Sequence, residues 1–545
     1  MNQETSSFCT QLHCDLLVIG GGINGAGIAR DAAGRGLKVI LCEKDDLAAH
    51  TSSASSKLIH GGLRYLEYYE FSLVRKALQE REDLMRIAPQ LIRPMRFVMP
   101  YVKGLRPRWV LRAGLFLYDH LARRDLLPGS ESCLLQESEV GRGLKPELQH
   151  GFLYSDAWVD DARLVVLNVM DAQQRGAQIL TRTRCDHLEA RDGRWIARLS
   201  QQLNAAEHPR DGYVQTASIE VDAACVVNAT GAWVADLQNR SHLSASQTSV
   251  SNAPNAPNTA QQKIRLVKGS HIVVNRLFTH SHAYIFQHPD GRIVFAIPYE
   301  KDYTLIGTTD LDYLGAPEQF KAEISKEEVV YLCGLSNQYF EQQISIKDVV
   351  WSYAGVRPLA DDGRSDSKSV TRDYRLEFDT SNAPILHVFG GKITTYRRLA
   401  EDALSLISGA LSCSAKAWTK ATLLPGGDLL SPTADNQNVL HRQDFIQACC
   451  KRYAWAPQAW VERLASSYGT HIHTILEGCA TESDLGAPVL PGLYPCEIEY
   501  LLKHEFAQTA QDILWRRTKL GLHLERDAGV ILERWLAQHH SAGSL

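Results

Sequence analysis

The sequence lacks any apolar run of about 18 residues or more, so no segment reads as a transmembrane helix. A basic excess is missing too. Lys and Arg number 58 against 62 Asp and Glu, the net charge is −4, and no nucleic-acid partner is expected. Twelve cysteines run from Cys9 to Cys496 without one C-x-x-C pair, which fits reduced thiols in a cytosolic compartment better than a disulfide framework or a zinc site. The opening stretch MNQETSSFCTQLHCD has neither the basic nor the apolar part of a secretory leader, so none is expected. His504-Glu505 begins like a zinc-protease motif, but position 508 is Gln. No G-x-S-x-G or P-loop occurs either. These absences leave a globular chain of 545 residues with no expected metal, long enough for about two to four domains.

Residues 15–43 are the most ordered pattern in the chain. DLLVIG is a short apolar run, GGINGAG punctuates it, IARDAAGRG continues with small helical residues, and LKVILCE is a second apolar run. This predicts one βαβ unit. A helix is predicted over 71–88, and strands near 193–199, 217–228, 272–274, 284–297 and 303–307. Residues 240–262, rich in Ser, Asn, Ala and Pro, read as a solvated loop. From about 416 the pattern turns helical, as in 443–467 and 497–521. The expected division is a nucleotide-binding part over 1–415 and a helical part over 416–545. A substrate-binding region is expected within the first, over about 100–160 and 240–350.

The βαβ unit carries Gly20-x-Gly22-x-x-Gly25, with Asn24 inside the turn and Glu43 ending the second strand. Gly20 permits the tight turn, Gly22 lets backbone approach a pyrophosphate, and Gly25 allows close helix–strand packing. Phosphates would meet the helix N-terminus, and Glu43 would accept from ribose hydroxyls while repelling a 2′-phosphate. Alone this does not choose FAD over NAD. Two further turns do. Asn228-Ala229-Thr230-Gly231 follows the strand CVV, and Phe389-Gly390-Gly391-Lys392-Ile393-Thr394 follows ILHVF and leads into a helix. Three nucleotide-suited junctions in one chain favour a long, two-ended cofactor such as FAD.

The segments TSSASSKLIHGGLRYLE (51–67), YSDAWVDDARL (154–164), VKGSHIVV (267–274), IGTTD (306–310), YAGVRPL (353–359), TRDY (371–374) and FGGKITTYRRLAE (389–401) are specific. With the glycine fingerprint, and with RRTKLGL (516–522) in the tail, they resemble the FAD-dependent, quinone-reducing glycerol-3-phosphate dehydrogenases of bacteria. The resemblance covers about 15–537 and departs mainly in a longer N-terminus and the 240–262 loop. It implies an α/β fold: a Rossmann-like, glutathione-reductase-type FAD-binding domain, a β-sheet substrate domain and an all-α C-terminal domain. It also implies oxidation of sn-glycerol 3-phosphate to dihydroxyacetone phosphate. Electrons would pass to ubiquinone or menaquinone at the cytoplasmic face of the inner membrane, with the enzyme bound peripherally. A homodimer is compatible with the sequence.

Phosphate calls for planar, multidentate donors, which Arg supplies. An Arg at a turn more often makes a salt bridge; the resemblance favours phosphate for Arg357 first and Arg372 next. The same resemblance places Arg64 and Tyr65 beside flavin and substrate, with Lys57 just upstream, and offers Ser52, Ser53 and Ser55 to the cofactor. Removing the hydroxyl proton as hydride leaves calls for a base, usually His. By resemblance His271 is the candidate and His60 the runner-up. Lys392 and Thr394 are placed for the phosphate or for a reduced flavin, where a cation is favourable. Residues 105–124 mix Arg106, Arg108, Arg112, Arg123 and Arg124 with Trp109, Leu115, Phe116 and Leu117. That composition suits an anionic membrane surface; an amphipathic helix packed on a core is the commoner outcome from sequence alone, and the resemblance to quinone-reducing enzymes favours the membrane. Three alternatives stay open: a glycerol-3-phosphate oxidase using O₂, an FAD-dependent amine or amino-acid oxidase, and a non-enzymatic flavin binder.

Overall fold

The computed structural model describes residues 10–202, 216–239, 264–288, 291–313, 315, 322–360 and 373–540. The loop expected over 240–262 and Arg372 lie outside the described residues.

Two sheets organise the first part. In one, the strands run in the order Arg375–Asp379, Ile385–Phe389, Thr216–Asn228, Thr10–Ile19, Val39–Cys42, Gln178–Leu180. The four pairings from Ile385–Phe389 across to Gln178–Leu180 are parallel. Leu16, Leu17 and Val18 are fully buried, as a parallel strand covered on both faces requires. A meander, Thr183–Arg191 and Arg194–Gln202, extends this sheet through Thr216–Asn228. The helix Ile23–Gly34 buries Ala26, Ile28, Ala29 and Ala32 against the helices Asp161–Gln174 and Tyr396–Ile407. Small residues let these helices approach closely.

The parallel order brings the ends of four strands to one edge. Ile19, Cys42, Asn228 and Phe389 are their last residues, so the three glycine-type turns and Glu43 converge there. Ligands of open α/β sheets bind outside such carboxyl ends.

The second sheet is mostly antiparallel. It runs Leu311–Asp312, Ile264–Asn275, Tyr303–Gly307, Ile293–Tyr299, Ala283–Gln287, Ile92–Pro100, His150–Val159, Leu58–Ile59, with Val349–Ala360 also paired to Ile264–Asn275. It therefore draws strands from before residue 100 and from after 350. The pairing of Ile264–Asn275 with Val349–Ala360 sets His271 opposite Tyr353 and Val267 opposite Arg357.

Near the C-terminus, the helices Arg442–Arg452, Gln458–Tyr468, Pro495–His504 and Ala528–His540 enclose a separate core that includes Phe445, Trp460, Leu464, Ile498 and Leu532. The helical stretch expected over 443–467 is split ahead of Pro457, which caps the second helix because it cannot continue the first. Buried ion pairs join this core to the rest: Arg163 with Glu505 at 2.8 Å, Arg517 with Asp46 at 2.8 Å and Lys519 with Asp160 at 3.2 Å.

Candidate active site

Two cavities lie at the strand ends. One, of about 660 Å³, is lined by Gly20, Gly22, Glu43, His50, Ser52, Thr230, Gly231 and Trp233. The other, of about 310 Å³, is lined by Asn24, Arg64, Tyr65, His271, Arg357, Gly390, Gly391, Lys392 and Thr394 among others. Gly22, Thr51, Ser52, Ala229 and Gly231 line both. The cavities thus meet at the N-terminus of the helix Ile23–Gly34, where phosphate is favoured. Such a cleft, long and two-ended with a phosphate site in the middle, fits FAD.

At the first end the fingerprint works as its chemistry requires. A Cβ on Gly25 would lie 1.9 Å from the Gly20 carbonyl oxygen, so the third glycine packs the helix on the turn and does not line the cleft. Glu43 is buried and accepts from the backbone N–H of Gly21 at 2.6 Å and of Asp45 at 2.9 Å. Burial pushes its carboxyl upward, against those two hydrogen bonds. Ser52 Oγ accepts from the N–H of Ile23 at 3.0 Å, and Thr230 Oγ1 donates to Asn228 Oδ1 at 2.7 Å. Asn24 donates to the Gly390 carbonyl at 3.1 Å, which ties the first glycine junction to the one far along the chain.

The hydroxyls of Ser53 and Ser55 both have partners within the protein. Ser53 lines neither cavity; its hydroxyl donates back to the His50 carbonyl at 3.2 Å and closes its own turn. Ser55 lines the second cavity, but its hydroxyl donates to Asp161 at 2.7 Å. Lys57 is buried and donates to the same Asp161 at 2.8 Å, so it anchors the segment and lines neither cavity.

The second end is charged on one side and apolar on the other. Arg357 donates to Asp310 and, at 3.2 Å, to Thr308 Oγ1. A Cβ on Gly269 would stand 2.3 Å from the Arg357 guanidinium, which explains a glycine two residues before His271 on the paired strand. Lys392 Nζ sits 3.7 Å from the centre of the Tyr65 ring. Arg64 donates to Tyr68 at 3.3 Å. Thr394 is buried and accepts from the His60 N–H at 3.3 Å, which puts the runner-up histidine in the same wall. Phe97, Tyr154, Ile285, Ile293 and Phe295 form the apolar side.

His271 is 2% exposed. Its ring stacks on Tyr353 at 4.7 Å, and its Nε2 is 2.8 Å from Ser56 Oγ. Burial, then the positive charges of Arg357 and Lys57, hold its pKa well below that of an ordinary histidine, so the resting ring is neutral.

Sequence reasoning missed Ser56, Asp310, Thr308 and Asp161. Ser56 sits in a run of serines with nothing to single it out. The carboxylates matter only through partners far away in the chain.

A family model described as FAD dependent oxidoreductase matches residues 15–397, and one described as the C-terminal domain of alpha-glycerophosphate oxidase matches 417–537. The chain is 47% identical over 533 residues to a glycerol-3-phosphate dehydrogenase of Pseudomonas aeruginosa, covering 96% of this chain and 95% of that protein. It is 44% identical over 523 residues to a D-erythritol 1-phosphate dehydrogenase of Brucella abortus, with 96% and 97% covered. Among solved structures, the glycerol-3-phosphate dehydrogenase of Bacillus halodurans complexed with FAD aligns with a TM-score of 0.72 at 26% identity, over 98% of this chain and 92% of that one. The fold, the cleft and these matches agree: the chain belongs to the FAD-dependent oxidoreductases, in the group that carries the alpha-glycerophosphate oxidase type of C-terminal domain.

Proposed function

We propose that this chain oxidises sn-glycerol 3-phosphate to dihydroxyacetone phosphate and passes the electrons to ubiquinone or menaquinone. The observation that carries the reading is the meeting of Arg64, Arg357, Lys392 and His271 on one small cavity that continues into the dinucleotide cleft. Residues 1–415 would hold cofactor and substrate, and 416–545 would cap them.

In this reading Arg357 and Arg64, with Lys392 and Arg372, hold the phosphate dianion. Arg357 is oriented for it by Asp310. Tyr65 and Thr394 shape the space around the carbon chain. His271 receives the hydroxyl proton. Bound FAD supplies the acceptor for the hydride of C2. Phe97, Ile285 and Phe295 keep bulk water from that wall.

Contact with a lipid-dissolved acceptor has a surface to use. Among the described residues, no helix is long and apolar enough to cross a membrane. The helix Arg108–His120 buries only Leu115 and Tyr118 and leaves Trp109 74% and Phe116 58% exposed, beside exposed Arg108 and Arg112. That pattern supports peripheral binding at the anionic cytoplasmic face of the inner membrane.

The Brucella relative's name makes a longer polyol phosphate a specific rival. The test is anaerobic. Glycerol 3-phosphate should bleach the flavin of the purified protein, faster than D-erythritol 1-phosphate does, and a quinone analogue should restore it. Bleaching by the erythritol ester alone transfers the assignment to that substrate. Fast reoxidation by O₂ without quinone makes it an oxidase, and bleaching by neither ester sinks the reading.

A further inference from the structure

His271 lines the cavity, and among the described residues Ser56 is the one hydrogen-bond partner of its ring nitrogens. The histidine is 2% exposed, its Nδ1 is buried without a hydrogen-bond partner among the described residues, and its Nε2 is held by Ser56 at 2.8 Å. Ser56 itself is half-buried and lines the cavity. The neighbouring residues explain why it points there. Ser55 donates through its N–H and its hydroxyl to Asp161, at 3.1 and 2.7 Å, and Lys57 donates to the same carboxylate at 2.8 Å. The chain is therefore pinned on both sides of Ser56 toward Asp161, and Ser56 turns the other way. Tyr353 completes the clamp: its hydroxyl donates to the Ser55 carbonyl at 2.7 Å while its ring backs the imidazole.

Resting on the reading above, we propose that Ser56 is a catalytic residue that relays the substrate's C2 hydroxyl proton to His271. The O–H bond of the substrate breaks and its proton goes to Ser56 Oγ. In the same step the Ser56 proton goes to Nε2 of His271. The C2–H bond breaks with both electrons, and that hydride goes to bound FAD. The alcohol becomes a ketone, two electrons reach the cofactor, and one proton stays on the imidazole. Charged and titratable groups around the ring are Arg357 on the paired strand, which Asp310 accompanies, Lys57 with Asp161 on the other side, and Tyr353 in the stack. A phosphate dianion arriving at Arg357 offsets the guanidinium charge, so substrate itself makes His271 a better proton acceptor.

The test uses holoenzyme and single-turnover flavin reduction, with Ser56→Ala and Ser56→Thr as variants. FAD content and thermal midpoint serve as folding controls. Ala is expected to reduce about 10²-fold or more slowly at saturating glycerol 3-phosphate, with half-saturation little changed, and Thr to recover to within about tenfold. In mixtures of H₂O and D₂O the wild-type rate should curve as two moving protons require. A Ser56→Ala rate within ~3-fold of wild type overturns the relay, as does a loss confined to half-saturation. A linear dependence on deuterium content in the wild type overturns it even where Ala fails to hold FAD. Wild-type flavin left unbleached by glycerol 3-phosphate instead removes the functional reading beneath it.

Discussion

The two ends of the cleft are built from different materials. The nucleotide end is backbone: glycine turns, a helix N-terminus and one buried carboxylate, Glu43, held by N–H groups two residues on and 22 residues back. The substrate end is side chains: Arg64, His271, Arg357 and Lys392, drawn from segments more than three hundred residues apart in the chain and steadied by the carboxylates Asp310 and Asp161. Backbone sites fail when anything is added. Side-chain sites fail when something is taken away. That asymmetry separates binding of the cofactor from use of the substrate.

The largest expected effect is at the nucleotide end. Gly25→Ala puts a methyl 1.9 Å from the Gly20 carbonyl oxygen, where only the backbone could yield. The helix must then leave the turn, and the purified protein should be colourless. The ratio of flavin to protein absorbance measures this, and a yellow Gly25→Ala protein would show that the helix contact is not what shapes the site. Arg357→Ala is the counterpart. Flavin content should stay at the wild-type level while kcat/KM for glycerol 3-phosphate falls by about 2–5 kcal/mol of transition-state binding, at least ~30-fold. Loss of flavin in this variant would erase the distinction between the two ends.

The same asymmetry governs what the sequence discloses. Gly20, Gly22, Gly25 and Glu43 lie within one βαβ stretch, and their spacing alone carries the chemistry. Asn228–Gly231 and Gly390–Gly391 follow apolar strands and are readable for the same reason. Arg357 and His271 are another matter. Nothing local marks either, and both were reached through resemblance; their meeting depends on the pairing of Ile264–Asn275 with Val349–Ala360. Ser53 and Ser56 show the limit most clearly. They stand three residues apart in one serine-rich turn, yet one closes the turn and the other faces the cavity, because Asp161, a hundred residues away, fixes which way the chain is twisted.

A third region backs the nucleotide end without lining it. Arg517, fully buried, makes a bidentate pair with Asp46, three residues after Glu43, and also donates to the Glu505 carbonyl. Arg517→Lys keeps the charge and loses the fork. It should cost about 2 kcal/mol of stability, read from a urea midpoint, because hydrogen bonds to charged groups are lost in a dry place. Flavin affinity should fall with it and kcat should not, since the seam supports the nucleotide end. A drop in kcat with flavin affinity intact would place the seam's influence at the substrate end.

The smallest effect is one of pH, and it belongs to the substrate sheet. His280 is buried between the strands Ile264–Asn275 and Ala283–Gln287, with Nε2 2.9 Å from the Tyr284 hydroxyl. Burial, and then His282, bring its pKa down to about 4. The folded value lies below the unfolded one, so as pH falls through ~6.5 the unfolded chain takes up the proton first. Stability is full above that pH, declines toward 4 and then levels off. His280→Gln removes the titration while keeping a polar side chain beside Tyr284. Other histidines with lowered values, buried His271 and half-buried His471 among them, remain in both proteins and cancel in the difference. Between pH 7 and 5 the wild type should therefore lose about 1–2 kcal/mol more than the variant, compared by urea unfolding at each pH. Flavin content should follow the same course in both proteins across this range, because His280 supports the sheet and touches no part of the nucleotide end. Equal losses of stability would mean that His280 takes up its proton as readily in the folded protein as in the unfolded chain.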